Sequence, residues 1–386
     1  MYRFATFFAF LLIFALFLGV LLVPATVVAE ITPPPLPTPV RQPPATSAEG
    51  AVLYDPQSGS FLVERNADRR LPMASTTKIM TALVVLEQCN LSATVTVPKE
   101  AVGIEGSSIY LYEGEKITVR TLLYGLLLSS ANDAATALAL HAAGSVPAFA
   151  ALMNEKAASL GLSDTHFTNP HGLHDEAHYT TARELALISA AAMQNPTFAE
   201  IVRTPRYTAP QNGTEATRLF LNHNRLLRTC EGVIGIKTGF TKASGRCLVS
   251  AAARNGLLLI AVTLNDGNDW RDHAALYDWA YEEYEAFTPQ TVSISLPVIG
   301  GEDKEVKIIA QGTVAMTLPT VHGEITATTE LPRFLYAGFA AGERVGTLVY
   351  RMDGKIIAAL PLITANGVEK NQLPRTFFEK IQDLFQ

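Results

Sequence analysis

The stretch MASTTKIMTALVVLE, residues 73–87, decides the fold and the chemistry expected of this chain. An apolar run over residues 77–86 predicts a helix, and Leu71-Pro72 ends the irregular segment before it. Ser75 therefore lies near a helix N-terminus, where free N–H groups and the helix dipole favour a developing negative charge. Lys78 follows one helical turn later on the same face, so its amine can reach the serine hydroxyl.

Two further motifs stand later in the chain, Ser130-Ala131-Asn132 and Lys237-Thr238-Gly239. The starts of the three motifs are separated by 55 and 107 residues. A Ser-x-x-Lys motif alone would occur about once by chance in a chain of this length. The three motifs in this order are typical of serine acyl-transfer sites whose base is a lysine. Together they predict such a site here.

Helical patterns surround the second motif. The expected helices are residues 121–128, 133–143 and 148–160. Ser130 and Asn132 then lie in the loop between the first two helices, which can direct both side chains into a cleft.

Strand patterns surround the third motif. Residues 51–54 and 61–63 flank a turn and predict a β-hairpin. Further strands are expected at 232–238, 246–253 and 257–264, before a helix at 273–285. Turn residues between these strands indicate an antiparallel meander. We therefore expect a catalytic domain over residues 48–287.

The composition changes at Thr288-Pro289, after which short alternating strands predominate. The expected strands are 292–296, 306–310, 313–316, 345–351 and 355–360. They predict a small all-β domain over residues 288–367. Residues 368–386 carry an apolar stripe that predicts an amphipathic helix, either docked on its own domain or bound to a membrane surface.

The N-terminal 29 residues predict export. No charge occurs between Arg3 and Glu30, and small residues at 27–29 fit a cleavage site. The apolar run is also long enough to remain as a membrane anchor. Residues 30–47 form a proline-rich linker, which favours extended backbone and predicts a spacer or tail.

Charge and metal-ligand patterns narrow the function. The net charge of −6 and the absence of basic clusters argue against a nucleic-acid partner. Four histidines crowd residues 166–178, but Pro170 and Gly172 interrupt any helix, so we expect loop packing and neither a metal site nor a cofactor. Cys230 and Cys247 flank the third motif and could pair, although free buried thiols are the favoured interpretation.

Four stretches closely resemble the D-alanyl-D-alanine carboxypeptidases among the low-molecular-mass penicillin-binding proteins. They are residues 50–87, LLLSSANDAATALA at 126–139, FTNPHGLHDEAHYTTARELALIS at 167–189 and GIKTGFTKASGRCLVSAA at 235–252. The resemblance implies an α+β fold of the β-lactamase/transpeptidase type, with an antiparallel sheet flanked by helices, a helical lobe and a small all-β C-terminal domain. It also implies a bacterial envelope enzyme that trims the terminal D-alanine from peptidoglycan stem pentapeptides and is inhibited by β-lactams.

The resemblance assigns the acylation chemistry to the first two motifs. Ser75 would be the nucleophile, and Lys78 would be its base if burial and the charge of Lys237 hold it neutral. Ser130 would pass a proton to the leaving amine, and Asn132 would position the substrate backbone.

The third motif would hold the substrate. Lys237 and Thr238 would bind the terminal carboxylate, and Gly239 would allow close approach. The backbone N–H groups of Ser75 and Phe240 would form an oxyanion hole. Arg271 would support carboxylate binding, with a surface ion pair as an equally good interpretation. The family often has Gly at position 131 and His at position 240, where Ala131 and Phe240 stand here.

Two other functions share the three motifs. A class A β-lactamase would need a deacylating Glu-x-x-Leu-Asn loop, and none occurs between Asn132 and Lys237. A penicillin-binding sensor or structural module would acylate once without turnover. Counting D-alanine released per protein molecule separates these alternatives from a carboxypeptidase.

Overall fold

A computed structural model describes residues 41–210, 217–289, 292–312 and 316–371. The predicted signal or anchor segment, residues 1–29, and most of the proline-rich linker lie outside the described residues. So does the greater part of the predicted C-terminal helix, residues 372–386. The last linker residues are attached to the catalytic region, because Arg41 pairs with Glu283 and the Ser47 amide donates to Asp272 at 2.6 Å.

The helices of the described residues, in chain order, are α1 Lys78–Gln88, α2 Val119–Leu128, α3 Asn132–Ala143, α4 Val146–Ser159, α5 Ala182–Met193, α6 Pro196–Arg203, α7 Leu226–Thr229 and α8 Asp269–Glu283. The strands of the catalytic region are β1 Gly50–Asp55, β2 Ser60–Arg65, β3 Thr94–Thr96, β4 Lys116–Thr118, β5 Arg206–Pro210, β6 Thr217–Leu221, β7 Val233–Thr241, β8 Gly245–Arg254 and β9 Leu257–Leu264. Those that follow are β10 Tyr284–Phe287, β11 Ser293–Ile299, β12 Glu305–Ala310, β13 Met316–Pro319, β14 Ile325–Glu330, β15 Leu335–Tyr336, β16 Arg344–Met352 and β17 Lys355–Thr364.

An antiparallel five-stranded sheet organises the catalytic region, with strand order β2-β1-β9-β8-β7. The predicted hairpin β1–β2 and the predicted meander β7–β8–β9 are confirmed. β1, β8 and β9 are mostly buried because helices cover both faces of the sheet. β7 lies at the edge, so one side of its backbone is left for another extended chain.

Helices pack on the two faces in different ways. One large apolar cluster joins the sheet to α1 through α6, and a second joins it to α8. α1 is buried from Lys78 to Val85, and each fully buried Ile, Leu or Val side chain contributes about 1.5–3 kcal/mol. Thr118 caps the N-terminus of α2, and its hydroxyl accepts from the Thr121 amide at 3.2 Å. This packing fixes the start of α1 against the sheet.

The C-terminal region has its own sheet and its own core. The strand order is β14-β16-β17-β12-β11-β15, and Ile308, Leu348 and Leu362 lie in a separate apolar cluster. Four of the five strands predicted here are confirmed. Of the predicted strand 313–316 only Met316 is described, and it begins β13.

β14 was not predicted, because five of its six residues are exposed and no apolar alternation marks it.

The described residues contain no single helix long and apolar enough to cross a bilayer. α3 and α4 meet the length and composition requirement only as a pair, and they are bent by 84° relative to each other.

Candidate active site

Ser75 lies in a short 3₁₀ turn, Ala74–Thr77, that leads directly into α1. The Lys78 Nζ atom lies 2.8 Å from the Ser75 Oγ atom, as the spacing of the first motif predicts. Ala74 holds a left-handed backbone with φ 48°, an unfavourable conformation for a residue with a Cβ. Such strain persists only where surrounding contacts enforce it, and it directs Ser75 toward the cleft.

Lys78 is fully buried and has three oxygen partners. Besides Ser75, its Nζ atom donates to the Asn132 Oδ1 atom at 2.7 Å and to the His171 carbonyl oxygen at 2.6 Å. Burial first, and the charge of Lys237 second, lower the pKa of Lys78 well below its ordinary value, while Asp133 acts in the opposite direction. This shift favours the neutral amine, which is the form that can accept a proton.

The second motif joins α2 to α3. Ser130 is 5% exposed and has φ 58°, so it too is held in the left-handed region. Asn132, which was predicted to lie in the loop, begins α3 one residue before the predicted start of that helix, and its side-chain nitrogen donates to the Glu105 carbonyl at 2.5 Å. The buried Asp133 carboxylate accepts the Ile109 and Leu111 amides and so fixes the loop that contacts Asn132.

The third motif lies on the edge strand β7. The Lys237 Nζ atom donates to the Ser130 Oγ atom at 3.0 Å, which brings together residues 107 positions apart. Burial lowers the pKa of Lys237 to about 7. A Cβ atom at Gly239 would lie 3.1 Å from the Ser75 nitrogen, so glycine lets this strand approach the nucleophile turn closely.

These elements enclose a cleft of about 250 Å³. Its lining residues are Ser75, Ser130, His223, Thr238, Gly239, Phe240, Arg246, Cys247, Asp269 and Trp270. Apart from Arg271, the structure therefore brings the predicted site residues into one place, with Lys78, Asn132 and Lys237 buried behind the cleft.

Arg271 is the predicted site residue that the structure places elsewhere. It is exposed and lines a neighbouring depression, whereas Arg246 lines the cleft of Ser75. The Arg246 guanidinium donates to both carboxylate oxygens of Asp269, at 2.7 and 2.9 Å, and lies 5.5 Å from the centre of the Trp270 ring. Arg246 stands directly opposite Phe240 in the β7–β8 register.

The sequence analysis missed several residues that support the site. The segment 165–180 supplies the His171 carbonyl to Lys78 and places Gly172 and His178 behind the nucleophile turn. The crowded histidines marked this segment, but only the fold shows what they contact. Within the described residues no group of three or more Asp, Glu, His or Cys side chains is arranged to hold a metal ion. The three cysteines are free thiols, so Cys230 and Cys247 do not pair.

Both the catalytic region and the C-terminal region of the chain match known protein families. Residues 38–268 match the family described as D-alanyl-D-alanine carboxypeptidase, and residues 281–370 match the C-terminal domain of penicillin-binding protein 5. The chain is 33% identical over 364 residues to D-alanyl-D-alanine carboxypeptidase DacC of Escherichia coli, covering 88% of each protein. It is 30% identical over 342 residues to DacF of Bacillus subtilis, covering 84% of this chain and 87% of that protein.

A solved structure extends this similarity to the fold. Penicillin-binding protein 5 of Haemophilus influenzae superimposes with a TM-score of 0.70 at 32% identity, over 86% of this chain and all of that one. The α+β fold with a separate all-β C-terminal domain is thereby confirmed. With the Ser–Lys pair and the matching family in agreement, this chain belongs to the D-alanyl-D-alanine carboxypeptidase family of serine-type hydrolases.

Proposed function

We propose that this protein removes the terminal D-alanine of peptidoglycan stem pentapeptides through an acyl-enzyme on Ser75. The D-Ala-D-Ala carboxypeptidase activity is that of the family to which the chain belongs. The observation that carries the assignment of the nucleophile is the 2.8 Å contact between Ser75 and a lysine whose pKa is strongly lowered.

The acylation step follows from these contacts. Ser75 Oγ attacks the carbonyl carbon of the penultimate D-alanine while neutral Lys78 takes its proton. The bond to the terminal D-alanine nitrogen breaks, and Ser130 relays to that nitrogen the proton that Lys78 took from Ser75, so that Lys78 and Ser130 both return to their starting forms. The 3.0 Å contact with Lys237 keeps the Ser130 hydroxyl oriented for this transfer. Water then hydrolyses the ester, which restores Ser75 and releases the shortened peptide.

The edge strand β7 would hold the substrate. An extended peptide can lie along it, with Asn132 contacting the substrate backbone. The N–H groups of Ser75 and Phe240 would bind the developing oxyanion, and the close approach of Gly239 to the Ser75 nitrogen supports this arrangement.

The terminal carboxylate would bind Lys237, Thr238 and Arg246. We assign Arg246 to the role expected of Arg271, because Arg246 lines the cleft and is held there by Asp269. Guanidinium groups bind carboxylates with two parallel hydrogen bonds, and the Asp269 contact keeps the fork oriented in advance.

β-Lactams would acylate the same serine, since they present a reactive carbonyl beside a carboxylate. We also propose that the chain acts outside the cytoplasmic membrane, as residues 1–29 predict. Membrane contact through the N-terminal segment or through residues 368–386 stays a prediction.

Two measurements test the proposed function. Ser75→Ala should abolish covalent labelling by fluorescent penicillin, whereas Ser92→Ala, at an exposed serine, should label like the unmodified chain. Incubation with diacetyl-Lys-D-Ala-D-Ala should release many equivalents of D-alanine per protein molecule. One equivalent or none would favour a non-turnover penicillin sensor, and residual labelling of Ser75→Ala would exclude Ser75 as the nucleophile.

A further inference from the structure

His178 lies behind the nucleophile turn and has no part in the mechanism above. It is 3% exposed, and the Phe167 ring packs against its edge with centroids 5.7 Å apart. Its Nε2 atom lies 2.7 Å from the Thr77 Oγ1 atom, and its Nδ1 atom accepts from the Thr168 amide at 3.1 Å. A neutral imidazole donates a hydrogen bond from one ring nitrogen and accepts one at the other, so its two partners determine which nitrogen carries the proton.

That direction can be worked out from the partners. The Thr168 amide can only donate, so Nδ1 must carry a lone pair and Nε2 must carry the proton. The Thr77 hydroxyl has one proton, which it donates to the Ala74 carbonyl oxygen at 2.8 Å. Thr77 therefore accepts from His178 and donates to Ala74. The hydrogen bonds run from Thr168 through His178 and Thr77 to the carbonyl of the residue before Ser75.

The Ala74 carbonyl belongs to the same peptide unit as the Ser75 N–H. Because a peptide unit is planar and trans, its C=O and N–H groups point in opposite directions. Anchoring the carbonyl from behind therefore aims the Ser75 N–H forward, toward Gly239, where an added Cβ atom would lie 3.1 Å from the Ser75 nitrogen.

The left-handed Ala74 makes this anchoring necessary. A non-glycine residue in that region costs roughly 1–2 kcal/mol, so the peptide would otherwise tend to rotate. Gly172 packs against the same carbonyl so tightly that a Cβ atom there would lie 1.9 Å from the Ala74 oxygen. The carbonyl is thus held by a hydrogen bond from Thr77 and by direct packing.

We propose that His178 is a positioning residue for the oxyanion hole, acting through Thr77 and the Ala74–Ser75 peptide. This inference rests on the proposed function, in which Ser75 is acylated and its N–H binds the oxyanion. His178 touches neither substrate nor nucleophile.

The protonation state of His178 agrees with this role. Burial lowers the pKa of His178 to about 4, and the charged or titratable groups that face it are Asp175, His166, His174 and Lys78. The neutral imidazole, and with it the direction of the hydrogen bonds, therefore persists at neutral pH.

The test compares two substitutions at this position. His178→Phe keeps a planar ring and removes the donor, whereas His178→Gln keeps an N–H near the position of Nε2. Deleting an oxyanion-hole donor typically costs about 10²–10³ in rate, and a misaimed donor retains part of its effect. We expect His178→Phe to slow acylation by fluorescent penicillin about 10- to 100-fold with little change in the affinity of the initial complex. His178→Gln should recover most of that loss.

Infrared spectroscopy of the penicilloyl-enzyme gives a readout that a merely structural role would not change. A weaker oxyanion hole polarises the ester carbonyl less, so its stretch should move to higher wavenumber in His178→Phe and return in His178→Gln. Thr77→Val, which removes the hydroxyl at constant volume, should reproduce the shift and provides a second route if the phenylalanine variant does not fold. His174→Phe, at an exposed histidine of the same segment, is the matched control and should behave like the unmodified chain.

A folded His178→Phe protein with unchanged acylation rate and carbonyl stretch would overturn the inference. So would equal losses in the phenylalanine and glutamine variants. Either result leaves labelling of the unmodified chain intact and so speaks only against His178, whereas failure of the unmodified chain to label would refute the proposed function itself.

Discussion

Replacing Arg246 by methionine separates carboxylate recognition from the rest of catalysis. Methionine keeps an unbranched apolar stem of similar reach and removes the guanidinium. In the cleft that group has two roles: it faces the expected position of the substrate carboxylate, and it neutralises Asp269, whose side chain is 4% exposed. The first role is expected to appear in kinetics and the second in stability.

The size of the kinetic effect depends on the charge of the group that the guanidinium binds and on how far water reaches the guanidinium. A hydrogen bond to a charged group contributes about 1.5–3 kcal/mol, which corresponds to about 10- to 150-fold in kcat/KM. The Arg246 side chain is 43% exposed, so water screens the interaction and the lower end applies. We therefore expect kcat/KM for diacetyl-Lys-D-Ala-D-Ala to fall about tenfold.

The stability effect should be smaller than for a fully buried ion pair. Asp269 begins α8, where the Trp270 amide donates to it at 2.8 Å and the helix dipole favours its charge. These groups continue to stabilise the carboxylate after the guanidinium is removed. We expect a cost of about 1–2 kcal/mol in the free energy of unfolding, measured by urea denaturation.

The decisive comparison uses a second peptide that ends in a carboxamide. Arg246→Met should lower kcat/KM for the carboxylate peptide and leave the amide peptide nearly unchanged, because only the carboxylate uses the guanidinium. Arg271→Met is the matched control at the exposed neighbouring arginine and should affect neither peptide. Equal losses on both peptides, or a larger loss in Arg271→Met, would refute the assignment of Arg246.

Two further outcomes concern the lysine pair and the glycine behind the nucleophile. Because Lys78 must be neutral to accept a proton, kcat/KM should rise as the pH increases through the lowered pKa of Lys78. Burial lowers the pKa of Lys237 to about 7, so the loss of its charge above pH 7 should weaken carboxylate binding and make kcat/KM fall again. A value of kcat/KM that stays constant from mildly acidic to alkaline pH would contradict both expectations. Gly172→Ala should strongly reduce penicillin labelling and lower the Tm, because the new Cβ atom would lie 1.9 Å from the Ala74 oxygen. Gly161 is the control: its φ is similar, +75°, but a Cβ atom there meets nothing within 4 Å, so Gly161→Ala should lower the free energy of unfolding by only about 1 kcal/mol. Similar losses of Tm in the two variants would show that the contact with Ala74 is not responsible.

Local spacing was sufficient to predict the contact between Ser75 and Lys78. A separation of three residues in a helical segment places both side chains on one face, and no tertiary information is needed. The contact between Ser130 and Lys237 is different, because it joins residues 107 positions apart. Motif chemistry and the family resemblance predicted that both residues belong to one site, but they did not predict this contact, and hydrophobic periodicity alone could predict neither.

Arg246 was missed because the predicted strands ended too early. The predicted strands leave residues 239–245 as a turn, whereas β7 continues to Thr241 and β8 begins at Gly245. In the observed register Phe240 and Arg246 stand opposite each other at the mouth of the cleft. A tighter hairpin could have been predicted from Gly245, but strand ends depend on pairing that the sequence does not reveal.

The lowered pKa values of the two buried lysines explain how the site holds both without two full charges. The charge of Lys237 helps to hold Lys78 neutral, and neutral Lys78 is the form that activates Ser75. With its pKa near 7, Lys237 is only partly charged before substrate arrives. An incoming carboxylate favours the protonated form of Lys237, but its own negative charge offsets the effect of that proton on Lys78. A peptide without the free carboxylate would lose the contact with protonated Lys237, so the terminal carboxylate contributes to binding, whereas activation of Ser75 depends mainly on the burial that lowers the pKa of Lys78.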